Sequence, residues 1–122
     1  MIIAYAKSDV GKAREMNQDA YYISDSSSDV KLYLLADGMG GYKGGEIASQ
    51  LAIKCTRNYI ENNLKDTPKD RESLLQLIAS SMEYANMVIY EKSKENKELE
   101  GMGTTLEVCL IYNSKAYIGH IG

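Results

Sequence analysis

The sequence predicts an α+β layered fold in which a pair of helices covers a mostly antiparallel sheet. Three observations carry this. Short segments rich in apolar and β-branched residues lie at both ends of the 122-residue chain. Two long stretches with helical periodicity follow one another with no strand between them. The resulting order, β-β-β-α-α-β-β, does not fit a βαβαβ winding, in which strands and helices alternate.

The elements follow in turn. Residues 1–7 (MIIAYAK) and 20–24 (AYYIS) read as short strands, separated by the polar stretch SDVGKAREMNQD. SDSSSD is a turn by composition. Residues 30–36 (VKLYLLA) form a strand that becomes fully apolar at its end, so both faces are expected to be covered there. From Gly45 to Leu64 the pattern is helical, with Ile47, Leu51, Cys55 and Tyr59 on one stripe and Ala48, Ala52 and Ile60 widening it. In KDTPKDRES, Thr67 offers a capping hydroxyl, Pro68 suits a first helical turn, and Asp70 places a carboxylate at the positive helix end. A second helix then runs to Lys97 on a stripe of Leu74, Leu75, Ile78, Met82, Ala85 and Ile89. EGMG breaks it, TTLEVCLIY is a strand, NSK a tight turn and AYIGHIG the return strand. That last strand is still running at Gly122, so the chain reads as cut there, the N-terminal portion (residues 1–122) of a single domain.

Composition excludes several functions. Apolar residues make up 44%, charged residues 25%, and the net charge is −3 with no basic block. That argues against nucleic acid or an anionic membrane as the main partner. No apolar run approaches the ~20 residues of a bilayer span. The first residues turn polar too soon for a signal peptide. Cys55 and Cys109 lie far apart with no Cys-x-x-Cys spacing. They read as free thiols, and the expected location is the cytoplasm.

The most informative stretch is LYLLADGMGGYKGGEIAS, residues 32–49, where a greasy run meets Asp37 and then five glycines within eight positions. It is not a P-loop, because Lys43 precedes Gly44 and Glu46 follows Gly45. It is not a dinucleotide fingerprint, because Lys43 stands where the third glycine belongs. Two readings of Asp37 remain. It caps a turn before Gly38, or its two oxygens, beside the accessible carbonyl of Gly38, ligate a hard cation such as Mg²⁺ or Mn²⁺. GKAREMNQDA adds Arg14, Asn17, Gln18 and Asp19 in one short polar segment. Arg14 there is either part of a solvated loop or a planar fork for a phosphate. GMGTTLEV, residues 101–108, is accounted for as a glycine loop entering a β-branched strand.

Together these segments resemble the PP2C-type metal-dependent serine/threonine protein phosphatases, in particular the bacterial branch. SDVGKAREMNQDA is similar to the family's Gly-x-x-Arg-x-x-Asn-(Glu/Gln)-Asp motif. LYLLADGMGGYKGGEIAS resembles its Ala-Asp-Gly-Met-Gly-Gly motif and the following helix. GMGTTLEVCLI resembles its Gly-(Met/Cys)-Gly-(Ser/Thr)-Thr motif, and AYIGHIG the run that leads into Gly-Asp-Ser-Arg.

The resemblance implies an α-β-β-α sandwich of two mostly antiparallel sheets flanked by helices, present here as its N-terminal half, with the five strands divided between the two sheets. It implies hydrolysis of phosphoserine and phosphothreonine in proteins, the substrates of serine/threonine kinases, by a water activated on two Mn²⁺ or Mg²⁺ ions. Asp37 would bridge the metals, the Gly38 carbonyl would ligate one, Asp19 would join the acidic cluster, and Arg14 would hold the substrate phosphate. The chain departs from the pattern in three ways. Gln18 stands where many relatives carry Glu. Met39 stands where animal relatives carry a His as suspected general acid. The aspartates of the C-terminal half lie outside this chain. His120, the only histidine, reads as a structural strand residue. The chain alone is therefore expected to be inactive and to self-associate through the unpaired edge of residues 115–121. The rival reading is a non-catalytic metal-binding or regulatory module derived from the same fold.

Overall fold

In the computed structural model, which describes residues 19–24, 29–39 and 44–122, the elements are β1 (Asp19–Ile23), β2 (Val30–Met39), α1 (Gly44–Asn63), α2 (Arg71–Ser93), β3 (Gly103–Thr104), β4 (Leu106–Tyr112) and β5 (Lys115–Ile121). The sheet order is β1-β2-β4-β5, with β3 extending the ladder on β2, and every pairing is antiparallel. The sequence order of the described elements is as expected. The strand expected at residues 1–7 lies outside the described residues. Among the described residues β1, β2, β4 and β5 share one sheet, and the strand expected at residues 1–7, on which a division between two sheets turns, lies outside them. Leu34 and Leu35 pair with Val108 and Glu107, joining the two chain ends directly.

β2 shows which face the helices cover. Val30, Leu32, Leu34, Ala36 and Gly38 are buried, while the alternate residues are half-buried or exposed. A strand places successive side chains on opposite faces, and among the described residues the helix-facing side is the covered one. This corrects the expectation of two covered faces, since Leu35 is 37% exposed. The covered face of β2 and β4 (Leu106, Val108, Leu110) packs on Ala48, Ala52 and Ile60 of α1 and on Leu74, Ile78, Met82 and Ile89 of α2. Each large side chain fully buried there contributes about 1.5–3 kcal/mol.

The stripe on α1 is rotated from its expected centre. Ala48, Ala52 and Thr56 are wholly buried, whereas Ile47, Leu51 and Tyr59 are only partly so. Small residues let the helix backbone come close to the sheet, and the larger neighbours fill the flanks. At α2 the cap is Asp70 and not Thr67. The Asp70 carboxylate accepts from the Ser73 amide at 2.9 Å and from the Ser73 hydroxyl at 2.9 Å. The Thr67 hydroxyl instead donates back to the Asn63 carbonyl at 2.7 Å, finishing α1. α2 also ends sooner than expected, at Ser93, because Asn96 caps a separate short turn that buries Leu99. The β4–β5 turn needs only Asn113 and Ser114, both with positive φ (52° and 64°), and Tyr112 pairs with Lys115.

Candidate metal site at the end of the central strand

β2 does not stop before Asp37. Gly38 and Met39 pair with Thr104 and Gly103, so the strand runs two residues past the carboxylate. Asp37 is thus held inside a ladder, and the turn-cap reading is set aside. Its amide donates to the Thr105 hydroxyl at 3.1 Å, and its carbonyl accepts from the Thr105 amide at 2.9 Å. The residue itself is exposed.

On its other side Asp37 is the cross-strand partner of Asp19. Two acidic residues at directly opposed positions are unfavourable on their own. A divalent cation that takes oxygen ligands would offset such a pair, so the residue types and register are compatible with one. The fit is partial, since among the described residues no group of three or more His, Cys, Asp or Glu side chains comes together.

Gly38 lies on the helix-facing side of β2, next in alternation after Ala36. A Cβ there would overlap the carbonyl oxygen of Gly45 in the first turn of α1. The glycine is therefore required by the close approach of helix to strand, a reason additional to any exposure of its carbonyl. Gly44, opening α1, would put a Cβ 3.0 Å from that of Met102. The glycines on each side of the loop thus seat the positive end of α1 against the strand that carries Asp37.

Arg14, Asn17 and Gln18 lie outside the described residues, as does the side chain of Asp19. Met39 is 51% exposed. His120 pairs across from Glu107 on β5, a different strand and a different row from Asp37, and the expectation of a plain strand residue fits that placement. Cys55 and Cys109 are free, and burial pushes both thiols above their usual range, with Glu107 adding to the effect at Cys109. A groove of about 560 Å³ between α2 and β5 is lined by Leu75, Ile78, Met82 and Ile118 and does not include Asp37. The residue that sequence reasoning missed is Thr105. It was legible only as the second letter of a β-branched pair, and its position opposite Asp37 depends on the register.

Comparison with known proteins places the chain in a family. PhpP, a protein phosphatase of Streptococcus pneumoniae serotype 2, is 33% identical over 115 residues, covering 93% of this chain and 45% of that protein. The serine/threonine protein phosphatase PstP of Mycobacterium tuberculosis is 33% identical over all of this chain and 22% of its own length. The crystal structure of PstP superposes with a TM-score of 0.74 over 95% of this chain and 45% of that chain. That of the serine/threonine phosphatase Stp1 from Staphylococcus aureus, 28% identical, gives 0.81 over 95% and 44%. The chain spans less than half the length of each of these relatives. The family profile described as Protein phosphatase 2C matches residues 11–122, from the polar segment before β1 through the last strand, and the chain is accordingly a member of the protein phosphatase 2C family.

Proposed function

We propose that this chain is the N-terminal part of a phosphatase that hydrolyses phosphoserine and phosphothreonine in proteins with two Mn²⁺ or Mg²⁺ ions. The observation that supports it is the opposition of Asp19 and Asp37 on neighbouring strands, in a family that is metal-dependent in general. Asp37, the Gly38 carbonyl and Asp19 would hold the metal. When bound, such ions lower the pKa of water to make a nucleophile and neutralise charge on the phosphoryl group. The rest of the work falls to the chain. The β2 ladder fixes the Asp37 backbone, so its carboxylate needs little reordering. Arg14 would clamp the phosphoryl oxygens with its fork of donors, which also orients the ester.

The test uses the full-length protein that carries this chain, assayed on a phosphopeptide with Mn²⁺. Chelator should abolish turnover, and Asp37→Asn should remove most of it, because one neutral oxygen cannot serve two cations. Arg14→Ala should chiefly raise KM, with a lost charge-assisted bond contributing about 1.5–3 kcal/mol. Activity that persists in excess chelator refutes the two-metal reading. Unchanged KM and kcat in Arg14→Ala refute the clamp.

The second reading is a metal-binding or regulatory module of the same fold without turnover. On either reading the 122 residues alone are silent in the same assay. They also self-associate along β5, where Ile118 and Ile121 are 58% and 39% exposed on an edge strand beside the apolar groove under α2. Light scattering of a clean monomer at high concentration would refute that association. The free thiols are consistent with a cytoplasmic setting, which fractionation of cells carrying the tagged full-length protein would check.

A further inference from the structure

We infer that Thr105 is a positioning residue that sets the Asp37 backbone through a hydroxyl-for-carbonyl exchange. The inference rests on the proposed metal-binding role of Asp37.

The β2 register runs unbroken past the short gap between β3 and β4. Leu35 faces Glu107 on one side of the gap, and Gly38 faces Thr104 on the other. Thr105 therefore falls directly opposite Asp37, although it belongs to neither strand. In an antiparallel ladder, a hydrogen-bonded pair exchanges two main-chain bonds. One of them is present, from the Thr105 amide to the Asp37 carbonyl at 2.9 Å.

The return bond is not a main-chain bond. The Asp37 amide donates to the Thr105 side-chain oxygen at 3.1 Å. The Thr105 carbonyl, which would ordinarily receive it, accepts from the Thr104 hydroxyl at 2.6 Å. The Thr105 hydroxyl also lies 3.5 Å from the Asp37 carbonyl, at the outer edge of hydrogen-bonding range. The two threonines have exchanged roles with the backbone. Thr104 satisfies the carbonyl that turned away, and Thr105 supplies the acceptor that went missing.

The consequence is specific to this row of the sheet. On the Thr105 side, Asp37 is held at its amide by a side chain and at its carbonyl by a backbone group. A β-branched residue has few χ1 choices, so threonine fixes that acceptor more firmly than serine. Partners that orient a metal ligand typically change metal affinity 10- to 100-fold when removed. Thr105 would act in that way, through Asp37 and not by touching the metal.

The experiment titrates the full-length protein that carries this chain with Mn²⁺, follows paramagnetic broadening of amide resonances, and measures hydrogen exchange at the Asp37 amide without metal. The proteins are wild type, Thr105→Val, Thr105→Ser and Asp37→Asn. Thr105→Val should weaken Mn²⁺ by about 10-fold and speed Asp37 exchange relative to Leu35. Thr105→Ser should restore slow exchange and bind Mn²⁺ within about threefold of wild type. Wild-type affinity and exchange in Thr105→Val overturn the assignment. So does a folded Thr105→Ser that loses Mn²⁺ as Asp37→Asn does, which decides the matter even if Thr105→Val fails to fold. If wild type and Asp37→Asn show the same absence of Mn²⁺ broadening, the metal reading falls, and the positioning role with it. The exchange data would still show whether the clamp exists, which separates the two failures.

Discussion

Gly38→Ala tests whether the packing of α1 on the central strand fixes the end of β2. The added methyl would overlap the Gly45 carbonyl oxygen and lie 2.5 Å from the Gly45 carbonyl carbon and 2.9 Å from its Cα. All three are backbone atoms, so no side-chain rotation relieves them. Restoring contact distances of ~3.5–4.0 Å requires the first turn of α1 to move away by roughly 1 Å or more. Overpacking of a tight core costs typically 1–3 kcal/mol, and a rigid obstacle places this substitution near ~3 kcal/mol. With an unfolding entropy of ~2.1 cal/mol/K per residue, that cost lowers Tm by roughly 12 °C in a chain of this size. Gly103→Ala is the control, because nothing lies within 4 Å of a Cβ built there. It should stay within ~0.5 kcal/mol of wild type. Gly119→Ala should fall between, since its methyl would meet Ile78 Cγ2 at 2.5 Å and Met82 Sδ at 2.8 Å, side-chain atoms that can yield. The assay is thermal unfolding by circular dichroism for all three. A Gly38→Ala protein that melts within ~2 °C of Gly103→Ala would refute the packing argument, because their difference in space is what separates them.

Two further outcomes are expected. Asp70→Ala should lower stability through loss of the α2 cap, read as a drop in Tm against wild type. The Ser73 amide and hydroxyl hold the Asp70 carboxyl below its usual range, so its contribution is complete above the unfolded pKa near ~3.9 and is lost as pH falls through the lower folded value. Acid unfolding curves of wild type and Asp70→Ala should therefore converge at low pH, and curves that stay parallel would contradict the cap. Among the described residues, no group hydrogen-bonds the buried Thr56 Oγ1. Thr56→Val keeps the shape and removes that hydroxyl, so a gain of about 1 kcal/mol, or ~4 °C in Tm, should appear in the same melt.

The elements were legible where local chemistry decides them. α1 was read as residues 45–64 and spans Gly44–Asn63, because the glycine cluster and the apolar period both mark it. The reach of β2 past Asp37 was not legible, since it is created by pairing with Gly103 and Thr104, far along the chain. The same holds for the opposition of Asp19 and Asp37, which two polar letters in separate segments do not announce. Thr67 was read as the cap because it precedes a proline, but Asp70 lies three residues before Ser73 and reaches its amide, and that reach decided the start of α2. Thr105 was legible as the last letter of a motif, but its role was not, because a second threonine entering a β-branched strand needs no special explanation until its partner is known.

The bond between Asp37 and Thr105 joins residues 68 positions apart, and the intervening chain contains both helices. Closing a loop of that length costs roughly 4 kcal/mol of chain entropy before any constant term. The helices and the β4–β5 hairpin are built from contacts near in sequence, which form fast. The row that carries the carboxylate is completed only by the most distant pairing in the sheet. Its β1 side does not wait: Asp19 and Asp37 belong to strands close in sequence and can meet before β2 has found β4, so the Thr105 bond is the last part of the row to form.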